Sequence, residues 1–159
     1  MIIDQSTKLI AVAYLAENPP IKVLGELFMI SLVYNYGGAL GTSFGPSIYY
    51  LISSLFIFLF VLYYLYKSLD KQHIALPLAF ISGGALGNII DRVRIGKVID
   101  FIDIDFVDIN LFGYQLERWW TFNVADAAIS CSIVYLLYHM IKHSETRSNI
   151  PDNPNGVID

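Results

Sequence analysis

The feature that most constrains this chain is an uncharged apolar run at residues 46–66, PSIYYLISSLFIFLFVLYYLY. A helix needs about 20 predominantly apolar residues to cross the hydrocarbon core of a bilayer, so this run is long enough to span it. Residues 74–90 and 121–141 are also apolar, although the run 74–90 is shorter and the run 121–141 contains Asp126. The sequence therefore predicts a membrane protein with at least these helical spans.

Composition supports a membrane protein and excludes several other classes. Charged residues make up 15% of the chain and the mean hydropathy is +0.54, whereas about a quarter of the residues in a soluble domain are charged. The net charge of -4 argues against a nucleic-acid-binding protein. A single cysteine, Cys131, excludes an internal disulfide and a cysteine-based zinc site. We expect no metal and no cofactor.

The N-terminal stretch 1–16 is apolar but is interrupted by Asp4 and Lys8, and it is short for a span. It would cross a bilayer only if water or partner groups reach these two side chains, or if the chain begins upstream of Met1. We therefore predict an all-α membrane protein with four transmembrane helices. We place the membrane domain at residues 1–143 and a polar, disordered tail with two prolines at 144–159.

The two longer connections have strand-like character. Residues 27–36 are β-branched and aromatic, which predicts a strand. In DFIDIDFVDI, residues 100–109, polar and apolar residues alternate as in a half-exposed strand. Beyond Asp100, we expect the further aspartates there to form a solvated loop face: Asp103, Asp105 and Asp108.

The glycines of the second predicted span and the lysines around it carry further information. Gly83, Gly84 and Gly87 favour close packing between helices. Lysine and arginine in short loops mark the cytoplasmic side, so we assign the loop 67–73, with Lys67 and Lys71, and the tail after Lys142 to the cytoplasm.

Polar clusters at the opposite membrane face carry the chemistry. Asn88 and Asp91 are three residues apart on one helix face, and so are Asn123 and Asp126, while Asp100 lies in the loop between the two helices. Ionisable residues in membrane segments usually face a bundle interior or a functional cavity. A pair formed by Asp100 and Asp126 suits peptide hydrolysis, because two nearby carboxylates hold one proton and can act as acid and base.

Other interpretations of these acids are open. Asp91 beside Arg92 can be a structural charge pair at a helix end. A proton- or ion-coupled transporter could also use Asp91 and Asp126, but transporters favour sites near the midplane and often contain internal repeats. We find no repeat, and the acids cluster at one membrane face. A third interpretation, a structural membrane subunit, does not account for the asparagine–carboxylate pairs.

Four blocks together resemble the lipoprotein signal peptidase family, also called signal peptidase II. They are DQSTK at 4–8, NYGGALG at 35–41, GGALGNIIDRVRIGKVIDFI at 83–102 and FNVADAAI at 122–129. The resemblance implies a four-helix aspartyl protease of the bacterial inner membrane, with both termini in the cytoplasm and a small extracytoplasmic β-cradle. The resemblance also implies that the substrates are prolipoproteins, which the family cuts just before a diacylglyceryl-modified cysteine, and that membrane lipids surround the enzyme. It acts after prolipoprotein diacylglyceryl transferase.

The resemblance also implies roles for individual residues. Asp100 in VIDF and Asp126 in NVAD match the catalytic pair. Further positions match polar residues that surround or support the site: Asn35, Asn88, Asp91, Arg92 and Asn123. Asp4 and Lys8 match the motif of the first helix. In the family that helix begins well before the motif, so the first span of this chain looks shortened.

Overall fold

The computed structural model describes residues 1–38, 45–105, 109–111, 114–116 and 120–148. The chain is mostly helical and carries a small antiparallel sheet. The helices are α1 (Ile2–Leu15), α2 (Ser47–Lys67), α3 (Gln72–Ile95) and α4 (Val124–Ser148). The strands are β1 (Ile21–Leu24), β2 (Phe28–Asn35), β3 (Val98–Ile104), β4 (Ile109–Leu111), β5 (Tyr114–Leu116) and β6 (Trp120–Phe122).

Three helices of the described chain are long and apolar enough to cross a membrane: Ser47–Lys67, Gln72–Ile95 and Val124–Lys142. They confirm the three runs found in the sequence, with ends displaced by one to five residues. No residue of α2 is buried within the protein, so this helix presents apolar side chains all round, as expected of a helix in contact with lipid.

Helix α1 has 14 residues and falls short of the length that a span needs. Its buried residues are Asp4, Lys8, Ala11 and Leu15. This spacing places them on one face of the helix. The two charged residues that interrupt the apolar stretch thus face protein. The four spans expected from the sequence are not confirmed, because three of the described helices are long enough to cross a membrane and α1 is not among them.

The main sheet has the strand order β1-β2-β3-β6, with every neighbouring pair antiparallel, and β4 pairs with β5 separately. The strand predicted at 27–36 is confirmed as β2. Phe101 of β3 packs in a core cluster with Ala11 and Leu15 of α1. The sheet therefore rests on the C-terminal half of α1, and β3 runs directly on from the end of α3.

One expectation about the acids of β3 is wrong. Asp103 is buried, with 5% of its surface exposed, and accepts a hydrogen bond from the Ser31 hydroxyl at 3.0 Å. It does not belong to a solvated face, because its side chain is buried and hydrogen-bonded to a residue of the neighbouring strand β2. Asp105 is half-buried, and Asp108 lies outside the described residues.

Helix α4 is described as far as Ser148, and the domain end that we placed at 143 stays a prediction. The remaining residues of the predicted tail, 149–159, lie outside the described residues, and the disorder of the tail stays a prediction.

Glycines on α3 allow close approach to α1 and α4. A Cβ atom built at Gly84 would lie 2.8 Å from the carbonyl oxygen of Ala125, and one built at Gly87 would collide with the Asp4 carboxylate. At Gly83 the nearest atom to such a Cβ would be the backbone nitrogen of Met1 at 3.7 Å, an ordinary contact. The packing expected from these glycines is confirmed at Gly84 and Gly87.

These contacts predict that Gly87→Ala strongly destabilises the protein while Gly83→Ala does not. The added methyl group at 87 displaces a carboxylate that is held by several partners, and overpacking of this kind costs about 1–3 kcal/mol or more. Thermal unfolding of the two purified variants in the same detergent measures the difference. Equal unfolding temperatures for both variants and the wild type would contradict the packing described here.

Candidate active site

The centre of the polar cluster is the ammonium group of Lys8, which is 1% exposed. Its Nζ atom lies 3.1 Å from Asp4 Oδ2 and 2.8 Å from Asp91 Oδ2. It also donates a hydrogen bond to Asn88 Oδ1 at 2.8 Å. A buried charge is tolerated when it is paired and hydrogen-bonded, and Lys8 meets both conditions while joining α1 to α3.

The two carboxylates that face Lys8 also accept hydrogen bonds from backbone groups of other elements. Asp4 Oδ1 accepts from the N–H of Ala125, in the first turn of α4, at 3.0 Å. Asp91 Oδ2 accepts from the N–H of Ile99, in β3, at 3.2 Å. The first-turn N–H groups of a helix have no partner within the helix, so Asp4 supplies one. Both carboxylates therefore fix the position of an element that carries a candidate catalytic aspartate.

The expected pairing of Asp91 with Arg92 is wrong. Asp91 pairs with Lys8, which lies far from it in the sequence. Arg92 instead donates from Nη2 to the carbonyl oxygen of Gly37 at 3.0 Å. Neighbours in a helix point in different directions, which separates the Arg92 side chain from that of Asp91.

Gln5 is a site residue that sequence reasoning missed. Its Nε2 atom donates to Asp91 Oδ1 at 2.9 Å and to the carbonyl oxygen of Gly87 at 3.1 Å. It thus holds the second oxygen of Asp91 and ties α1 to α3. An amide side chain between Asp4 and Lys8 in an apolar stretch was the available signal.

Asn123 caps α4 and pairs reciprocally with Asp126. Its Oδ1 atom accepts a hydrogen bond from the N–H of Asp126 at 3.0 Å, and its own N–H donates to Asp126 Oδ2 at 3.2 Å. This is the geometry of a capping box, in which the N-cap side chain and the third helical side chain satisfy each other's backbone N–H groups. The spacing of FNVAD is therefore a helix-start signal as well as a polar pair, and it fixes the Asp126 carboxylate.

Two asparagine amides link Asp100 and Asp126. Asn88 Nδ2 donates to Asp126 Oδ1 at 2.8 Å. Asn123 Nδ2 donates to Asp100 Oδ1 at 2.7 Å and lies 3.1 Å from Asn88 Oδ1. Asn35 Nδ2, on β2, donates to the other oxygen of Asp100 at 3.2 Å. The two carboxylates thus belong to one hydrogen-bonded group built from β2, β3, α3 and α4.

Burial and, to a smaller extent, the nearby Asp126 carboxylate raise the pKa of Asp100 from 3.8 to about 6. Hydrogen bonds from Asn35 and Asn123 and the charge of Lys8 act in the opposite direction. The carboxylates of Asp126, Asp100 and Asp91 lie near enough to the Arg92 guanidinium to interact with its charge. Asp100 can therefore hold or release a proton near neutral pH, which is what an acid–base pair requires.

The structure brings all of the predicted site residues into this one group. Lys8 and the amides connect most of them directly, and Arg92 joins through Gly37, whose N–H donates to Asn35 Oδ1 at 2.9 Å. Within the described ranges, no group of three or more His, Cys, Asp or Glu side chains could hold a metal ion. The arrangement provides two hydrogen-bonded carboxylates beside a guanidinium, suited to proton transfer in hydrolysis.

Comparison with known proteins is consistent with this chemistry. A family model described as signal peptidase (SPase) II matches residues 1–142. The lipoprotein signal peptidase of Pelodictyon phaeoclathratiforme is 35% identical over 159 residues, covering 99% of this chain and 91% of that protein. The lipoprotein signal peptidase of Chlorobium luteolum is 37% identical over 143 residues, covering 87% of this chain and 85% of that protein.

Two solved structures share the fold, and both are described as bacterial membrane enzymes solved by the in meso method. One has a TM-score of 0.74 and 26% identity, covering 99% of this chain and 88% of the other. The second has a TM-score of 0.70 and 29% identity, covering 89% of this chain and 86% of the other.

The pKa of Asp100 predicts how stability depends on pH. Because this pKa is raised on folding, the folded chain binds more protons than the unfolded chain between pH 3.8 and about pH 6. The stability that protonated Asp100 contributes is fully present below pH 4 and is lost as the pH rises through about 6. Asparagine at position 100 does not titrate. The unfolding temperature of Asp100→Asn minus that of the wild type should therefore increase as the pH rises from 4 to 7. A difference that is constant across this range would contradict the raised pKa.

Proposed function

Since this chain belongs to the signal peptidase II family, we propose that it removes signal peptides from prolipoproteins with Asp100 and Asp126 as its acid–base pair. Signal peptidase II is an aspartic protease. The observation that carries the assignment is the asparagine bridge, in which Asn123 donates to Asp100 and Asn88 donates to Asp126. It holds both carboxylates in fixed orientations within one hydrogen-bonded group.

The pair activates water and protonates the peptide. The ionised carboxylate takes a proton from a water molecule as the water oxygen bonds to the scissile carbonyl carbon. The protonated carboxyl donates to the carbonyl oxygen, giving a tetrahedral intermediate. When the C–N bond breaks, one carboxyl donates its proton to the leaving nitrogen. The other carboxylate takes the proton of one hydroxyl group of the intermediate as the C=O bond re-forms, so the pair ends singly protonated. Asp100, with a pKa of about 6, is suited to carry the proton at the start.

The membrane setting follows from the helix ends. Asn88 and Asp91 lie near the end of α3, and Asn123 and Asp126 lie at the start of α4, so the site is at one membrane face beside the sheet. The opposite ends of α2 and α3 meet at the loop that carries Lys67 and Lys71. Basic residues in short loops favour the cytoplasm. We place the site at the extracytoplasmic face of a bacterial inner membrane, with α1 as part of a fourth span.

The substrate is a prolipoprotein whose cysteine carries a diacylglyceryl group, and the bond cut lies just before that cysteine. The reaction therefore follows that of prolipoprotein diacylglyceryl transferase. Each buried methylene group contributes about 0.8 kcal/mol to membrane attachment, so two acyl chains hold the cysteine firmly at the interface. Surrounding membrane lipids and the exposed apolar surface of α2 define the plane in which substrate approaches.

The first test replaces each carboxyl of the pair. Asp100→Asn and Asp126→Asn should each abolish cleavage of a lipidated precursor, because asparagine keeps the shape but exchanges no proton. The double variant should be no worse than either single variant, since residues that act as a unit are non-additive. Asp105→Asn is the matched control on the same strand region and should retain most activity. Wild-type cleavage by Asp126→Asn, with binding measured in parallel, would exclude the pair.

The second test concerns the lipid. Purified protein should cleave a diacylglyceryl-modified precursor much faster than an unlipidated precursor of the same sequence, because the lipid places the bond at the interface. The comparison uses initial rates in the same bilayer preparation. Equal rates for the two precursors would indicate a general membrane endopeptidase.

A further inference from the structure

The pairing of β2 with β3 contains one extra residue on β2. Phe28 lies opposite Ile104 and Ile30 lies opposite Ile102, but the next pair is Val33 with Asp100. Between these two pairs, one residue of β3, Phe101, is thus matched by two of β2, Ser31 and Leu32. This is a β-bulge, a feature that is over-represented next to active sites, where it re-aims a side chain.

The bulge decides which face of the sheet Asn35 occupies. Side chains alternate between faces along a strand, and residues directly opposite each other share a face. With an unbroken register from Phe28, Asn35 would lie on the face opposite to that of Asp100, because one residue of slip reverses every side chain. With the bulge, Asn35 lies opposite Val98, on the face of Asp100. Its Nδ2 atom then reaches Asp100 Oδ2 at 3.2 Å.

A buried hydrogen bond ties the two strands together on the other face of the sheet, where the bulge begins. Ser31 Oγ, in the bulged segment, donates to Asp103 Oδ2 at 3.0 Å. The two residues are 7% and 5% exposed. Asp103 lies opposite Met29, so Ser31 is its diagonal neighbour on the same face. A buried carboxylate requires hydrogen-bond donors. A change in the β2 register that moved Ser31 away from Asp103 would break this hydrogen bond.

We propose that Ser31 and Asp103 are positioning residues, which hold the β2 bulge in the register that presents the Asn35 amide to Asp100. They act through Asn35 and do not contact the reacting atoms. The inference rests on the proposed function of Asp100. It gives Asp103, the second buried acid of β3, a role in the reaction that the family resemblance does not assign.

Ser31→Ala tests the proposal because it changes no charge. It should lower kcat about tenfold, the size expected for losing one hydrogen bond to an ionisable group, and leave KM for the lipidated precursor nearly unchanged. Asn35→Ala should cause a similar loss. In the Asn35→Ala background, Ser31→Ala should have little further effect, because the residue through which it acts is already absent. A full, additive loss in that background would overturn the proposal, and so would wild-type kcat for Ser31→Ala.

Two variants control for unspecific damage. Ser132→Ala removes a hydroxyl that is also 7% exposed and donates to the Ala128 carbonyl oxygen at 2.7 Å on α4; it should leave kcat unchanged. Ser31→Thr keeps the hydroxyl and should restore most activity. If Ser31→Ala does not yield folded protein, Ser31→Cys, with a weaker donor of similar size, replaces it in the same comparison.

The pH profile separates positioning from a purely structural role. The hydrogen bond from Asn35 holds down the pKa of Asp100, so losing it should move the alkaline limb of kcat to higher pH in Ser31→Ala. The charged groups that face Asp100, namely Asp126, Lys8 and Arg92, are the same in the variant and the wild type. A lower unfolding temperature with an unshifted limb would overturn the proposal. Wild-type protein without activity, or an active Asp100→Asn variant, would instead refute the proposed function.

Discussion

The buried ammonium of Lys8 is the group on which the rest of the site depends. It faces two carboxylates, Asp4 and Asp91, and one amide oxygen, that of Asn88, all within 3.1 Å. Removing one member of a buried ion pair costs about 3–5 kcal/mol, because the remaining charge stays in a low dielectric without compensation. Lys8 therefore holds α1 against α3, because separating the two helices would leave the charges of Lys8 and Asp91 without partners.

The carboxylates extend this constraint to the two candidate catalytic residues. Asp4 accepts from Ala125 and so fixes the start of α4, one residue before Asp126. Asp91 accepts from Ile99 and so fixes β3, one residue before Asp100. One lysine thus orients two acids, and each acid orients the backbone next to one member of the proposed pair. The asparagines then set the side chains, with Asn88 on Asp126 and Asn123 on Asp100.

Several parts of this arrangement were predictable because they depend on local sequence. The length of the apolar runs predicted three spans, and the β-branched run at 27–36 predicted β2. The spacing of Asn123 and Asp126 contained the capping box. The family resemblance placed nine residues in one site, and the structure places the same nine in one hydrogen-bonded group. Their roles in catalysis remain proposals.

Other parts depend on contacts between distant segments. Adjacent residues suggested that Asp91 pairs with Arg92, but the partner is Lys8, on a different helix. The alternation around Asp103 predicted a solvated face, and nothing local shows that this side chain is buried or that Ser31 supplies its hydrogen bond. The bulge itself is a property of how two strands match in register. No single segment contains that information.

The account's central claim is that Asp100 and Asp126 work as one pair that shares a proton. The pH dependence of kcat/KM for a lipidated precursor tests this most directly, because it reports the ionisation of the free enzyme. Two interacting carboxylates titrate in two macroscopic steps that belong to the pair. We predict a bell-shaped profile that falls at low pH, where both are protonated, and at high pH, where both are ionised. A profile with one limb, or with none, would contradict a shared proton and with it the proposed mechanism.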